Sequence, residues 1–285
     1  MSQTKIEWTD ETWNIITGCD KISPGCQNCY AAKMSKRLAG RYGYPKDDPF
    51  KVTFHPDKLY QPQKWKKPRR IFVCSMGDLF HKNVPFNHIN QVFNAAFHAP
   101  QHTYIVLTKR PDIMQRYFES CRDRGVPVLH WERHGLKLWK GVTAENQEQA
   151  DKRIPVLLQI PAKVRFVSVE PMLSQINFFP GLPDFLDFSY TTDPPRIDWV
   201  ICGGESGSKA RPTHPDWARL LRDQCEEAGT PFFFKQWGEW LPFDQRVAGQ
   251  ISNSEGFKRN KWAWKTGKKI AGRLLDNKLW DQFPE

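Results

Sequence analysis

The chain has 285 residues, 39% of them hydrophobic and 13% aromatic, which is enough to bury a continuous core and excludes a disordered or low-complexity chain. Lys plus Arg number 42 against 31 Asp plus Glu, a net charge of +11; this favours a polyanionic partner such as nucleic acid, with solubility as the plainer alternative. No run reaches the ~18 apolar residues of a membrane span, and Met1 to Lys5 leads into Trp8 without a signal-peptide core, so the expected compartment is the cytoplasm, with no membrane partner.

In chain order, short apolar runs alternate with polar segments of helical period, the mark of a parallel α/β sheet. Strands are expected at Thr12 to Gly18, Arg70 to Ser75, Thr103 to Thr108, Leu138 to Thr143, Val164 to Val169, Trp199 to Cys202 and Pro231 to Lys235. Helices are expected at Ala31 to Arg41, Asn87 to Ala99, Pro111 to Arg124, Glu145 to Leu158 and Pro215 to Ala228. In the second of these, Ile89, Val92, Phe93, Ala96 and Phe97 form one stripe and Asn87 is the expected N-cap. Residues 43–69 and 173–197 are rich in Pro and read as insertions. After Gly238 the βα rhythm stops. Residues 1–237 therefore read as a partial or full (β/α) barrel, and 238–285 as a basic, Trp-rich extension packed on it.

Ligands of parallel βα folds bind at the carboxyl ends of the strands. Polar and reactive residues stand at every such end here: Cys19, Ser75 to Asp78, Thr108 to Arg110, Thr143 with Glu145 and Asn146, Glu170, Gly203 to Ser206, and Lys235 with Gln236. Helix capping is the competing explanation for some of them. Glu170, Lys235 and Gln236 are the candidates for orienting a substrate.

Cys19, Cys26 and Cys29 form a C-x6-C-x2-C run directly after the first strand, and Pro24 and Gly25 let the chain turn back on itself. Three thiolates suit a [4Fe-4S] cluster with one iron left open. A structural zinc wants four ligands, and His55 and Cys74 lack ligand-pair spacing; zinc, or no metal, are the alternatives. Cys74, Cys121, Cys202 and Cys225 sit in apolar contexts and read as buried small hydrophobes.

A three-cysteine loop after the first barrel strand, followed by Tyr30 and Ala31, resembles the radical SAM enzymes. Trp8 to Asp10, Thr12 to Asn14, Ser23 to Cys26, Asn28 to Ala31, Gly203 to Gly207, Phe234 to Gly238 and Gly272 to Asp276 together resemble the phage-borne three-cysteine family of radical-SAM-like proteins, over nearly the whole chain. The first cysteine gap is six where the superfamily usually has three, and Asn28 stands where an aromatic residue is usual.

The resemblance implies a radical SAM (β/α) barrel whose cluster, held by Cys19, Cys26 and Cys29, binds S-adenosylmethionine and cleaves it to a 5′-deoxyadenosyl radical. Tyr30, Ser75, Met76, Gly77, Asp78, Lys109, Thr143, Glu145, Asn146, Gly203, Gly204 and Glu205 are then the cofactor-binding candidates. It also implies an electron donor such as flavodoxin or ferredoxin.

Basic residues interleave with aromatics around Lys66, Lys67 and Arg69, and again at Lys258, Arg259, Lys261, Trp262 and Trp264. Phosphates attract the cations, and bases stack on the rings. DNA is the favoured partner. The sharpest substrate that the resemblance implies is an amino-acid-modified thymine in phage DNA, rearranged by a radical isomerase. The alternatives are radical repair of a DNA lesion, of the photoproduct-lyase type, and a non-catalytic nucleic-acid-binding protein with a metal loop.

Overall fold

The structure is a computed structural model, and it describes residues 4, 6–123, 125–178, 196–246 and 257–285. Most of the expected insertion at 173–197, and the stretch 247–256 of the expected extension, lie outside the described residues. Two short strand pairs and one long sheet organise the chain. In order, β1 (Glu11–Trp13), β2 (Ile16–Thr17), α1 (Tyr30–Leu38), β3 (Thr53–Phe54), β4 (Arg70–Val73), α2 (Phe86–Phe97), β5 (Thr103–Thr108) and α3 (Pro111–Asp123) come first. They are followed by α4 (Val128–Arg133), β6 (Lys137–Thr143), α5 (Gln147–Gln159), β7 (Val164–Val169), β8 (Trp199–Gly203), α6 (Pro215–Glu227), β9 (Phe232–Gln236), β10 (Trp240–Pro242), β11 (Ala263–Lys265) and α7 (Lys268–Ala271).

The seven-stranded sheet runs β1-β4-β5-β6-β7-β8-β9, and its registers are parallel, Glu11 with Ile71, Arg70 with Thr103, Phe166 with Trp199 and Val200 with Phe232 among them. Sequential strand order with helices in the crossovers is the mixed α/β, (β/α)-barrel-type arrangement that the sequence predicts. The two pairs β2-β3 and β10-β11 are antiparallel. Every residue of β8 is buried, as expected for a strand covered on both faces.

By contact the chain divides into two compact units, one of Met1–Ile22, Cys29–Val142 and Val156–Arg165, the other of Ser23–Asn28, Thr143–Pro155 and Phe166–Glu285. In the first, the stripe of α2 buries Ile89, Val92, Phe93 and Ala96, each large apolar side chain worth about 1.5–3 kcal/mol when fully buried. Phe93 packs on Tyr117 and Phe118 of α3. The Lys140 ammonium is also buried here, 2.8 Å from Glu132 Oε2 and over the Phe118 ring.

In the second unit the residues after 237 are built into the core. Phe234 N–H donates to Trp280 O, Phe232 N–H to Gln282 Oε1, and Phe233 bridges Asp281 antiparallel, so this segment lies along β9. Trp237 is anchored to the same tail through Nε1 to Leu274 O at 2.8 Å.

Four local expectations need correction. The first strand is interrupted, because Asn14 leaves the ladder and its Oδ1 accepts from Ser75 Oγ and Met76 N–H. Helix α2 begins at Phe86 with Pro85 as N-cap, not with Asn87 in that role. The helix expected from Glu145 begins at Gln147, since Asn146 Oδ1 takes the Gln149 N–H as a cap does and leaves Glu145 outside. Helix α4 lies over Val128–Arg133, where no helix is expected.

Candidate functional site

Within the first unit the strand-end residues converge on Cys19. Asp78, 4% exposed, accepts from Thr108 Oγ1 at 2.8 and 3.0 Å, from the Lys109 N–H at 3.3 Å and from Arg110 Nη1 at 3.0 Å. Arg110 then donates from Nη1 to Cys19 Sγ at 3.3 Å and from Nη2 to Asp20 O at 3.3 Å. Burial alone would lower the guanidinium's affinity for its proton, but Asp78 and Cys19 hold it above its ordinary value. The result is a fixed cation 3.3 Å from the Cys19 sulfur. Cys29 belongs to the same unit and is the N-cap of α1. Ser75 and Met76 are tied to Asn14, Met76 is buried, and Tyr30 is 64% exposed.

Within the second unit, the loop segment Ser23–Asn28, which carries Cys26, is fastened by the other strand ends. Glu145 is fully buried; its Oε1 accepts the Gly25 N–H at 2.9 Å and its Oε2 pairs with Arg153 at 2.9 Å. Arg153 also donates to Thr143 O at 2.7 Å. Glu205 takes Asn28 Nδ2 at 3.0 Å and the Arg211 fork at 2.7 and 3.0 Å. Arg211 in turn reaches Gln27 Oε1 at 3.2 Å and Pro24 O at 3.0 Å. Burial raises the Glu205 pKa, but the hydrogen bonds from Arg211 and Asn28 outweigh it and keep the carboxyl below its ordinary value.

Three of the carboxylates expected to meet a cofactor, Asp78, Glu145 and Glu205, are therefore already engaged in supporting the cysteine loop. Glu170 Oε1 and Lys235 Nζ form a separate pair at 3.2 Å. Gly203 stands between them in the sheet, where an added Cβ would come 2.6 Å from Glu170 Oε1. At Gly204 the same atom would meet Trp237 O at 2.0 Å, so two backbones touch at that turn. Gln236 donates to Ser206 Oγ at 2.9 Å, while its Oε1 is buried without a partner.

The remaining cysteines are buried as their apolar contexts predict, with burial pushing the thiols of Cys74 and Cys225 up to about 12 and that of Cys202 well above its usual range. Cys19, Cys26 and Cys29 are the partly exposed three. Among the described residues no group of three or more His, Cys, Asp or Glu is placed to hold a single metal ion. The loop supplies three soft donors of the kind an iron–sulfur cluster takes, but as it stands it offers no ready-made ion site.

Of the basic residues singled out, Lys66, Lys67, Lys258, Arg259 and Lys261 are exposed. Arg69 pairs with Glu11 and lies over Trp65. Trp262 packs against His214 and Trp264 against Phe243, so both rings already have partners. Sequence reasoning missed Arg153 and Arg211, placed Arg110 at a strand end and quoted Asn14 and Asn28 in the motifs, but gave none of these three a part in the site.

The family described as "Protein of unknown function (DUF5131)" matches residues 3–284. The chain belongs to that family. No curated protein matches it. Among solved structures it is similar to "Spore photoproduct lyase complexed with dinucleoside spore photoproduct", at 10% identity over 94% of this chain and 71% of that one, with a TM-score of 0.46. No helix among the described residues is long and apolar enough to cross a membrane.

Proposed function

We propose that the chain is a radical SAM enzyme that acts on a nucleic-acid base. One observation carries the reading: of seven cysteines, the three on the loop after the first strand are partly exposed, and the strand ends are spent on holding that loop. Arg110 fixes Cys19, while Glu145 and the Glu205–Arg211 pair hold the backbone of Pro24 and Gly25 before Cys26 and the side chains of Gln27 and Asn28 after it. Cys19, Cys26 and Cys29 would hold a [4Fe-4S] cluster. Bound there, it would supply the electron that cleaves S-adenosylmethionine.

On this reading Asp78, Glu145 and Glu205 are positioning residues that set the loop. Lys109, and the Glu170–Lys235 pair with Gln236, are left to orient cofactor and substrate at the strand ends. The substrate that fits the resemblance is an amino-acid-modified thymine in DNA, rearranged as an isomerase would, with flavodoxin or ferredoxin as the donor. Exposed Lys66, Lys67, Lys258, Arg259 and Lys261 would meet phosphates.

Anaerobic reconstitution with iron and sulfide tests this. About four iron and four sulfide per chain are expected, as for a [4Fe-4S] centre, with 5′-deoxyadenosine released when the protein is reduced with S-adenosylmethionine. Stoichiometric zinc with no iron would overturn the reading and leave a nucleic-acid-binding module.

A further inference from the structure

In the first unit, the turn after α1 sets one ring in the core and another in solvent. Arg41 O accepts the Tyr44 N–H at 3.0 Å, and the Gly40 N–H donates to Tyr44 O at 3.0 Å, so residues 41–44 close a tight turn. Its φ is +54° at Tyr42 and +83° at Gly43, a left-handed pair that Asn and Gly fill most readily. Gly43 has a local reason for its place, since an added Cβ would come 2.7 Å from His55 Nδ1. Tyr44 is buried, with its ring centre 6.0 Å from that of His55. The fold makes no comparable use of the Tyr42 ring. Tyr42 is 75% exposed, and a bulky residue at positive φ is held there against the preference of its backbone.

Its surroundings are cationic. Residues 33–67 carry ten Lys or Arg against three Asp. Among the described residues none of those ten forms an ion pair, whereas Arg69 and Arg70 just beyond them pair with Glu11 and Asp10. At the turn itself, Lys58 Nζ donates to Tyr42 O at 3.4 Å, Arg41 donates to Arg37 O, and Lys46 Cβ stands 3.8 Å from where a Cβ on Gly40 would be. The acids are Asp57, next to Lys58, and Asp47 and Asp48, which follow Lys46. Cations at the end of α1 also suit the helix dipole, which accounts for Arg37 and Arg41 but not for an exposed ring on a strained backbone. A flat ring in solvent among cations that have no carboxylate is complementary to planar groups strung on phosphates.

We infer that the Tyr42 turn is a docking point for single-stranded nucleic acid, one base stacking on the Tyr42 ring while Arg37, Lys46 and Lys58 meet the neighbouring phosphates. The inference rests on the nucleic-acid reading above and adds a contact surface that neither the basic residues at 66–69 nor those at 258–264 include. A duplex hides the faces of its bases inside the stack, so the strand that docks here is open.

Fluorescence anisotropy of the full-length chain, without added iron, would compare a labelled single-stranded oligonucleotide with an abasic strand of the same length, which keeps the phosphates and lacks the bases. Asn is at ease at positive φ, so Tyr42→Asn should unfold in urea no more readily than wild type while binding the oligonucleotide about tenfold more weakly, the size of one lost stack. Tyr42→Phe keeps the ring and should bind as wild type does; on the abasic strand all three proteins should be alike. Arg37→Gln combined with Lys46→Gln should flatten the plot of log binding constant against log salt by about 1 on both strands. Undiminished binding by Tyr42→Asn, an equal loss on the abasic strand, or a salt plot that the double variant leaves unchanged overturns the proposal while the wider nucleic-acid reading stands. If wild type binds neither strand, both fall together. Neither result bears on the cluster, which iron content and 5′-deoxyadenosine report separately.

Discussion

Glu205 accepts four hydrogen bonds, three from Arg211 and one from Asn28, and thereby ties a strand end to the loop segment that carries Cys26. Its carboxyl is held below the ordinary value of about 4.3, so it contributes stability that is present above that pH and is lost as pH falls through the lower, folded-state value. Urea unfolding of wild type should therefore weaken below about pH 4, and Glu205→Gln should remove that part of the acid dependence. At neutral pH, Glu205→Ala should cost about 2 kcal/mol, less than a fully buried ion pair because Arg211 partly reaches water. The same variant should let iodoacetamide reach Cys26 faster, by mass spectrometry of the labelled peptide; an unchanged rate would mean that the carboxylate does not hold the loop. None of these partners was visible in the sequence. The contacts from Gly25 to Glu145 and from Asn28 to Glu205 join residues 120 and 177 positions apart, and such pairings leave no periodic trace. What the sequence did expose was the residue types, three close thiols and a carboxylate after several strands.

At the scale of elements, the ends of β8 and β9 are locked by close backbone contact. An added methyl at Gly204 would stand 2.0 Å from a carbonyl oxygen that cannot swing aside, so Gly204→Ala should destabilise by about 1–3 kcal/mol or more, read from chemical denaturation. The neighbouring change has a different outcome. Gly203→Ala clashes only with the tip of Glu170, Lys235 Cβ standing at an ordinary 3.4 Å, and that tip can rotate away, so the Glu170–Lys235 pair should part while the fold persists. A Gly203→Ala protein as unstable as Gly204→Ala would show that Glu170 has no room to move. The long strands and five of the helices were legible because apolar residues recur at their own period. Helix α4 was not, since Pro127 precedes it and it has six residues, too few for a stripe to show. The break between β1 and β2 was hidden for another reason: the side chain of Asn14 makes it, not a turn-forming residue.

Across the whole molecule, the +11 charge becomes a measurable quantity once its exposed members are known. If Lys258, Arg259 and Lys261 contact phosphate on a single strand, replacing all three should flatten the plot of log binding constant against log salt by about 2. Binding that is insensitive to salt would leave the charge as a solubility feature. Trp262 and Trp264 are weaker probes of base stacking than they look in the sequence, because each ring also packs internally, and their loss must be checked by circular dichroism before any change in affinity is assigned to a base. The segment that ends the chain has a protective consequence. By hydrogen-bonding along β9, it occupies a rim of amides and carbonyls that would otherwise stand ready to recruit a strand from another molecule. Shortening the protein before Trp280 would bare that rim and invite fibre-like self-association.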